Sequence, residues 1–118
     1  MSKVLQIATR HPDNVIDQRQ ESTIKIMKSW WQEKGHSSRV FDRYIPLTGV
    51  TTRHTCFPIE TIREQSKTFT VKNKKFNEVA IKLSLECVKE LNFNPQDVCM
   101  ITSSTMTGVG IPTIPHSL

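Results

Sequence analysis

The sequence has no apolar stretch long enough to span a bilayer. Its longest uncharged apolar run lies around Val98 to Ile101, far short of the roughly 20 residues a membrane helix needs. The N-terminus, Met1-Ser2-Lys3 followed by Val4 to Ala8, lacks the apolar core and cleavage site of a secretory signal. A soluble, cytoplasmic protein with no membrane span is therefore expected. Cysteine is scarce. Cys56, Cys87 and Cys99 are odd in number and have no C-x-x-C spacing, which points to neither a disulfide framework nor a zinc site. Reduced, mostly buried thiols and no bound metal are the expectation. No Pro/Gly/Ser block, low-complexity linker or internal repeat occurs, which excludes disordered and collagen-like classes. H-E-x-x-H, G-x-S-x-G and P-loop patterns are also missing, and no carboxylate pair stands out for acid/base work.

What is present suits one globular domain. A length of 118 residues allows one modest core rather than two. Hydrophobic residues at 36% and charged residues at 23% match a folding chain. Lys and Arg number 16 against 11 Asp and Glu, a net charge of +5 that attracts anions such as phosphates. The charges are spread along the chain. The densest group, Lys72, Lys74 and Lys75, has no interleaved aromatics and reads as a solvated helix face. Basicity alone does not indicate a nucleic-acid partner, and none is expected.

Hydrophobic spacing gives the elements. Val4 to Ala8, followed by the polar turn His11-Pro12-Asp13-Asn14, predicts a first strand. Asp17 and Gln20 have capping-box spacing, and Ile24, Met27 and Trp31 recur at helical spacing up to Gly35, predicting a helix over about 17–34. The Trp30-Trp31 pair reads as one buried ring and one half-exposed neighbour rather than a ligand platform. Ser38 is placed to cap a short helix through Tyr44, ended by Pro46 and the Thr48-Gly49 turn, with Arg39 and Arg43 on one face. From Asn73 to Leu91, Phe76, Val79, Ala80, Leu83, Cys87 and Leu91 form one stripe, a long helix with Cys87 in its core face. Val98 to Ile101 then predicts a strand buried on both faces of a parallel sheet. The order of strand, helices and strand argues for an α/β layer architecture. Open α/β sheets hold ligands at the carboxyl ends of their strands, which singles out the Gly-punctuated loop from Thr102 to Pro112. A chain ending just after that loop looks unfinished as an α/β domain.

Individual chemical signals are weak. His54 and Cys56, two apart, would share one side of a strand, but the pair offers only two metal ligands and no thiolate activation. Gly108 and Gly110 form G-x-G without a third glycine, and turn geometry accounts for them.

A longer pattern is more specific. Phe41-Asp42-Arg43 through Leu47-Thr48-Gly49-Val50-Thr51-Thr52-Arg53-His54-Thr55-Cys56-Phe57-Pro58-Ile59-Glu60 resembles the "TGV..RH...PIE" stretch of type III polyketide synthases, the chalcone synthase-like enzymes. The opening Ile7-Ala8-Thr9-Arg10-His11-Pro12, followed by Gln18, is similar to that family's start. Ser104 to Pro112, with Thr107-Gly108 and Pro112, is similar to its "TG...P" loop. The motifs run in the right order along essentially the whole chain. The ketoacyl synthase III branch has a similar stretch, and Pro58-Ile59-Glu60 with the compact loop favours the polyketide branch.

The resemblance implies the early part of a thiolase-like fold, an α/β architecture layered αβαβα, with residues 1–118 an incomplete N-terminal segment of a ketosynthase-type domain. It implies an acyltransferase that moves a starter acyl group from coenzyme A to a cysteine and extends it with malonyl units. The expected partners are acyl-CoA, malonyl-CoA and a second copy in a homodimer, with no tightly bound cofactor. The family's catalytic Cys, His and Asn lie downstream, so no catalytic residue is assigned, and the isolated chain is expected to be inactive and poorly folded. The resemblance places Arg43 on a position that holds coenzyme A phosphates. The other matching positions are Val40 and Leu47, which are not basic, and Arg39 could substitute by sharing Arg43's face. A plain surface role for Arg43 remains open, as does a small non-catalytic basic module that binds RNA or protein. Met106, Thr107 and Ile111 match positions that line the cavity or the dimer-crossing loop, and Ile111 could instead pack within its own subunit. Arg53 and His54 are expected to fix loop geometry through hydrogen bonds.

Overall fold

Alternation in Asn14-Val15-Ile16-Asp17 puts Val15 and Ile16 on opposite faces of an extended segment. In the computed structural model, which describes residues 3–105, this segment is strand β1, Asn14–Asp17, and pairs antiparallel with β2, Thr52–Thr55. The register sets Asn14 opposite Thr55 and Asp17 opposite Thr52, with Ile16 buried and Val15 exposed. Gln18 prolongs the ladder by donating its backbone N–H to the Thr51 carbonyl at 2.8 Å. This ribbon is the only sheet among the described residues, and the architecture is mixed and mostly helical.

Helix α1, Glu21–Glu33, ends in a Schellman arrangement. Gly35 takes φ +79°, its N–H reaches the Gln32 carbonyl at 2.8 Å, and the His36 N–H reaches Trp31 at 3.3 Å. Helix α2, Ser38–Tyr44, starts where the Ser37 hydroxyl accepts from the Arg39 N–H at 3.3 Å. Pro46 stops α2 and opens a 3-10 turn, Pro46–Thr48, closed by Gly49 at φ +66°. The short helix α3, Ile62–Gln65, precedes α4, Phe69–Glu90, whose N-cap Thr68 accepts from the Val71 N–H at 3.3 Å.

The chain divides into two compact units, one of Asp13–Glu64 and one of Met1–Pro12 with Gln65–Leu118. In the first unit the buried apolar residues are Ile16, Phe41 and Ile59. Lys28 ties α1 to α2 through both carboxylate oxygens of Asp42, at 2.9 and 2.7 Å. Trp31 donates from Nε1 to the Ser37 carbonyl at 3.1 Å and meets Phe41 edge-on, while Arg63 pairs with Glu33 and lies over the Trp30 ring. In the second unit the segment before Pro12 is tied to α4: Arg10 pairs with Glu90, and a shallow hollow lies between Ala8 to His11 and Ala80, Leu83 and Cys87. The Gln6 amide grips the backbone of Asn92, donating to its carbonyl at 2.7 Å and accepting from its N–H at 2.9 Å.

Several expectations are corrected. Val4 to Ala8 is not a strand: it joins no ladder, Val4, Leu5 and Ile7 are exposed, and Gln6 pairs through its side chain instead. Val98 to Ile101 is likewise unpaired, with Met100 75% and Ile101 54% exposed. Neither has a strand beside it among the described residues, so the expected parallel sheet is not formed there and the ladder forms at Asn14–Asp17. That strand consumes Asp17, so α1 begins at Glu21 with no side-chain cap. Ser37 rather than Ser38 caps α2, and α4 begins four residues before Asn73 because Thr68 supplies its cap. Both Trp30 and Trp31 are half-buried, as are Cys56 and Cys87, while Cys99 is exposed.

Candidate functional site

The seven residues of α2 carry four charged or aromatic side chains outward: Arg39, Asp42, Arg43 and Tyr44 are exposed while Phe41 is buried. This follows from helical spacing, which turns Phe41 toward α1 and leaves Arg39 and Arg43, four apart, on one outer face. Asp42, the acid on α2, is held by Lys28 at 2.7 Å. Among the described residues neither arginine forms an ion pair, and Arg43 lies 5.9 Å from the Tyr44 ring centroid. Two guanidinium groups without a carboxylate partner on a solvated face suit phosphate oxygens, which guanidinium groups bind with charge-assisted, fork-shaped hydrogen bonds. Val40 and Leu47, the apolar members of the same set, are 41% and 72% exposed.

Behind α2 the turn is built firmly. The Thr48 N–H and hydroxyl both donate to the Ile45 carbonyl, at 3.2 and 2.8 Å, and the Val50 N–H donates to the Thr48 hydroxyl at 3.3 Å. Gln18 is 7% exposed and latches this turn to β2. With the amide oriented by its neighbours, so that nitrogen faces an acceptor and oxygen a donor, the nitrogen donates to the Val50 carbonyl at 2.7 Å and the oxygen accepts from Arg53 Nε at 2.9 Å. Arg53 thus fixes loop geometry, as its position in the motif suggested. His54 stands on β2 opposite Val15 and is exposed. Cys56 lies just past the end of β2, so the pair does not sit on one strand. Among the described residues no three His, Cys, Asp or Glu side chains converge on a metal position.

A second polar fixture stands where β1 ends. Asp17 Oδ1 accepts from the Arg19 N–H at 2.9 Å and from Nε at 3.1 Å, and Oδ2 accepts from the guanidinium at 3.0 Å. The guanidinium hydrogen bonds, then the backbone N–H, hold the Asp17 carboxyl below its ordinary value of 3.8, and the same contact raises Arg19. Beside it a cleft of about 290 Å³ is lined by Ile24, Phe41, Ile45, Pro46 and Val50, with Arg19 and Asp42 also on its wall.

The structure brings Arg39 and Arg43 together on α2. Met106, Thr107 and Ile111 lie outside the described residues. Gln18 entered the sequence reading only as a match to a family's opening, and nothing in its neighbours marked it as a buried latch. Asp17, with capping-box spacing to Gln20, does not cap α1 and bonds Arg19 instead. Comparison with protein-family models, with curated proteins and with solved structures finds no match.

Proposed function

We propose that the chain is the N-terminal part of a type III polyketide synthase, an acyltransferase that condenses acyl units from coenzyme A thioesters with malonyl extender units, within a thiolase-like α/β fold. The observation that carries this reading is the stretch from Phe41 to Glu60. Its residues resemble the family's motif in order, and the same residues form one braced unit: α2 with its exposed arginines, the turn closed by Gly49, and Arg53 bound to the buried Gln18 amide. A motif kept for geometry is expected to be braced in this way.

In this reading Arg43, with Arg39 beside it, contributes positive charge to the phosphates of acyl-CoA and malonyl-CoA. The departure at Val40 and Leu47 leaves fewer cations than in the family, so each arginine carries a larger share of the attraction. The transfer itself needs an activated thiolate and a base. Cys87 is half-buried on α4 and Cys99 lies in an exposed segment, and neither is offered as the nucleophile, nor is Cys56. The cysteine that takes the acyl group belongs to the family's downstream region, the product is a polyketide, and the working enzyme is a cytoplasmic homodimer whose crossing loop includes Met106, Thr107 and Ile111.

The test is the Michaelis constant for malonyl-CoA in the complete protein. Arg43→Ala is expected to raise it about fivefold at low ionic strength, equivalent to about 1 kcal/mol for one exposed charge-assisted contact. The difference should shrink in high salt. An unchanged constant at low salt returns Arg43 to the role of a surface charge.

A further inference from the structure

The stretch from 65 to 77 carries Lys67, Lys72, Lys74 and Lys75 and no acid, in a chain whose net charge is +5. It spans the start of α4, and there two apolar side chains stand in solvent among the lysines. Phe69 is 63% exposed and Val71 45%, with Thr68 and Thr70 exposed beside them. Lys67, Lys72 and Lys74 are exposed as well. Lys75 is half-buried and pairs with Glu78 at 3.2 Å, while Lys72 and Lys74 form no ion pair among the described residues. Packing of the helix does not account for Phe69 and Val71. The apolar stripe of α4 starts at Phe76, which is half-buried, and leaves both of them outside it. Exposed apolar area rimmed by like charges marks a surface that meets something both apolar and anionic.

We infer that this end of α4 docks on an anionic lipid surface, with Phe69 and Val71 entering the boundary between headgroups and acyl chains and the lysines meeting the headgroup charges. Charge complementarity selects this occupant, because a cluster of about four or more basic residues on a helix suits an anionic leaflet. A nucleic acid fits less well. All four cations are lysines, point charges whose flexible stems spread over a fluid headgroup layer, and none is an arginine, whose planar fork suits a fixed phosphate. Val71 offers no ring on which a base could stack. The attachment is to the surface of a bilayer, without a span, and it does not depend on the polyketide reading.

The experiment is co-sedimentation of the complete protein with two kinds of vesicle, phosphatidylcholine alone and phosphatidylcholine with phosphatidylserine in equal parts. Binding is expected to the second kind at low ionic strength, to weaken as salt is added, and to be absent from the first. Lys72→Gln with Lys74→Gln should weaken it about tenfold or more. Lys25→Gln with Lys34→Gln removes the same charge from exposed positions in the Asp13–Glu64 unit and should change it far less. Phe69→Ser should weaken binding and Phe69→Leu should retain most of it, since a lipid boundary accepts any apolar side chain. No binding to the anionic vesicles, or equal binding to phosphatidylcholine alone, overturns the inference. So does an equal loss from the two lysine pairs, which would make the attraction one of net charge. A Phe69→Leu variant as weak as Phe69→Ser would also overturn it, because the ring would then be serving as a stacking platform, as a single-stranded nucleic acid requires.

Discussion

Gln18 concentrates much of the polar order of the Asp13–Glu64 unit in one side chain. A buried amide carries a penalty unless bonded, and here Val50 and Arg53 supply the bonds to the side chain while Thr51 accepts from the backbone N–H. Gln18→Leu leaves the Val50 carbonyl and Arg53 Nε without that partner. It should lower the opening free energy of the β1–β2 amides by about 1–3 kcal/mol in hydrogen exchange. Exchange rates unchanged at Thr52 and Arg53 would contradict the latch. Asp17 gives a pH dependence of definite sign. Its folded pKa is depressed by Arg19, so its contribution to stability is present above the ordinary value of 3.8 and is lost as the pH falls through the lowered folded value. Asp17→Asn should therefore flatten the stability curve below about pH 4 and leave little difference in that slope above it. A wild-type and a variant that lose stability in parallel on acidification would rule this out. At this scale the sequence was informative where a motif named a residue, as for Arg53. It was silent where the partner is a backbone carbonyl far along the chain, as for Gln18.

Helices were legible because their causes are local. Periodic apolar residues, Gly35, Pro46 and the turn at Gly49 all act within a few positions, and α1, α2 and α4 form where spacing predicted them, with ends displaced by a few residues. Ends moved where a side chain found other work, as Asp17 did, or where a cap lay outside the apolar stripe, as Thr68 does. Strands were not legible. An apolar run such as Val98 to Ile101 becomes a strand only beside a partner, and neighbours in space are not written in neighbouring residues. Two substitutions test the element ends. Thr68→Ala should cost about 1 kcal/mol of helix stability, seen as faster amide exchange in the first turn of α4. Gly49→Ala places a Cβ in the left-handed region and should cost about 1–2 kcal/mol in the turn, although the space around it is open. A neutral result at Gly49 would show that the turn relaxes out of its positive φ.

For the whole molecule the core is thin. Among the described residues the buried apolar side chains are Ile16, Phe41 and Ile59, and α4 has no buried residue at all. Val4, Leu5, Ile7, Met100 and Ile101 stand exposed on segments without a ladder, the condition in which extended apolar chain seeks a partner. Amides of residues 4–8 and 99–101 should exchange at rates near those of an unstructured chain, while those of α1 are retained longer. The most direct measurement is turnover of acyl-CoA and labelled malonyl-CoA by the complete protein, followed by carbon dioxide release and by product mass. Release coupled to an extended acyl product, absent from the 118-residue chain on its own, is the expected result. Turnover by that chain alone, or none by the complete protein, would contradict the account.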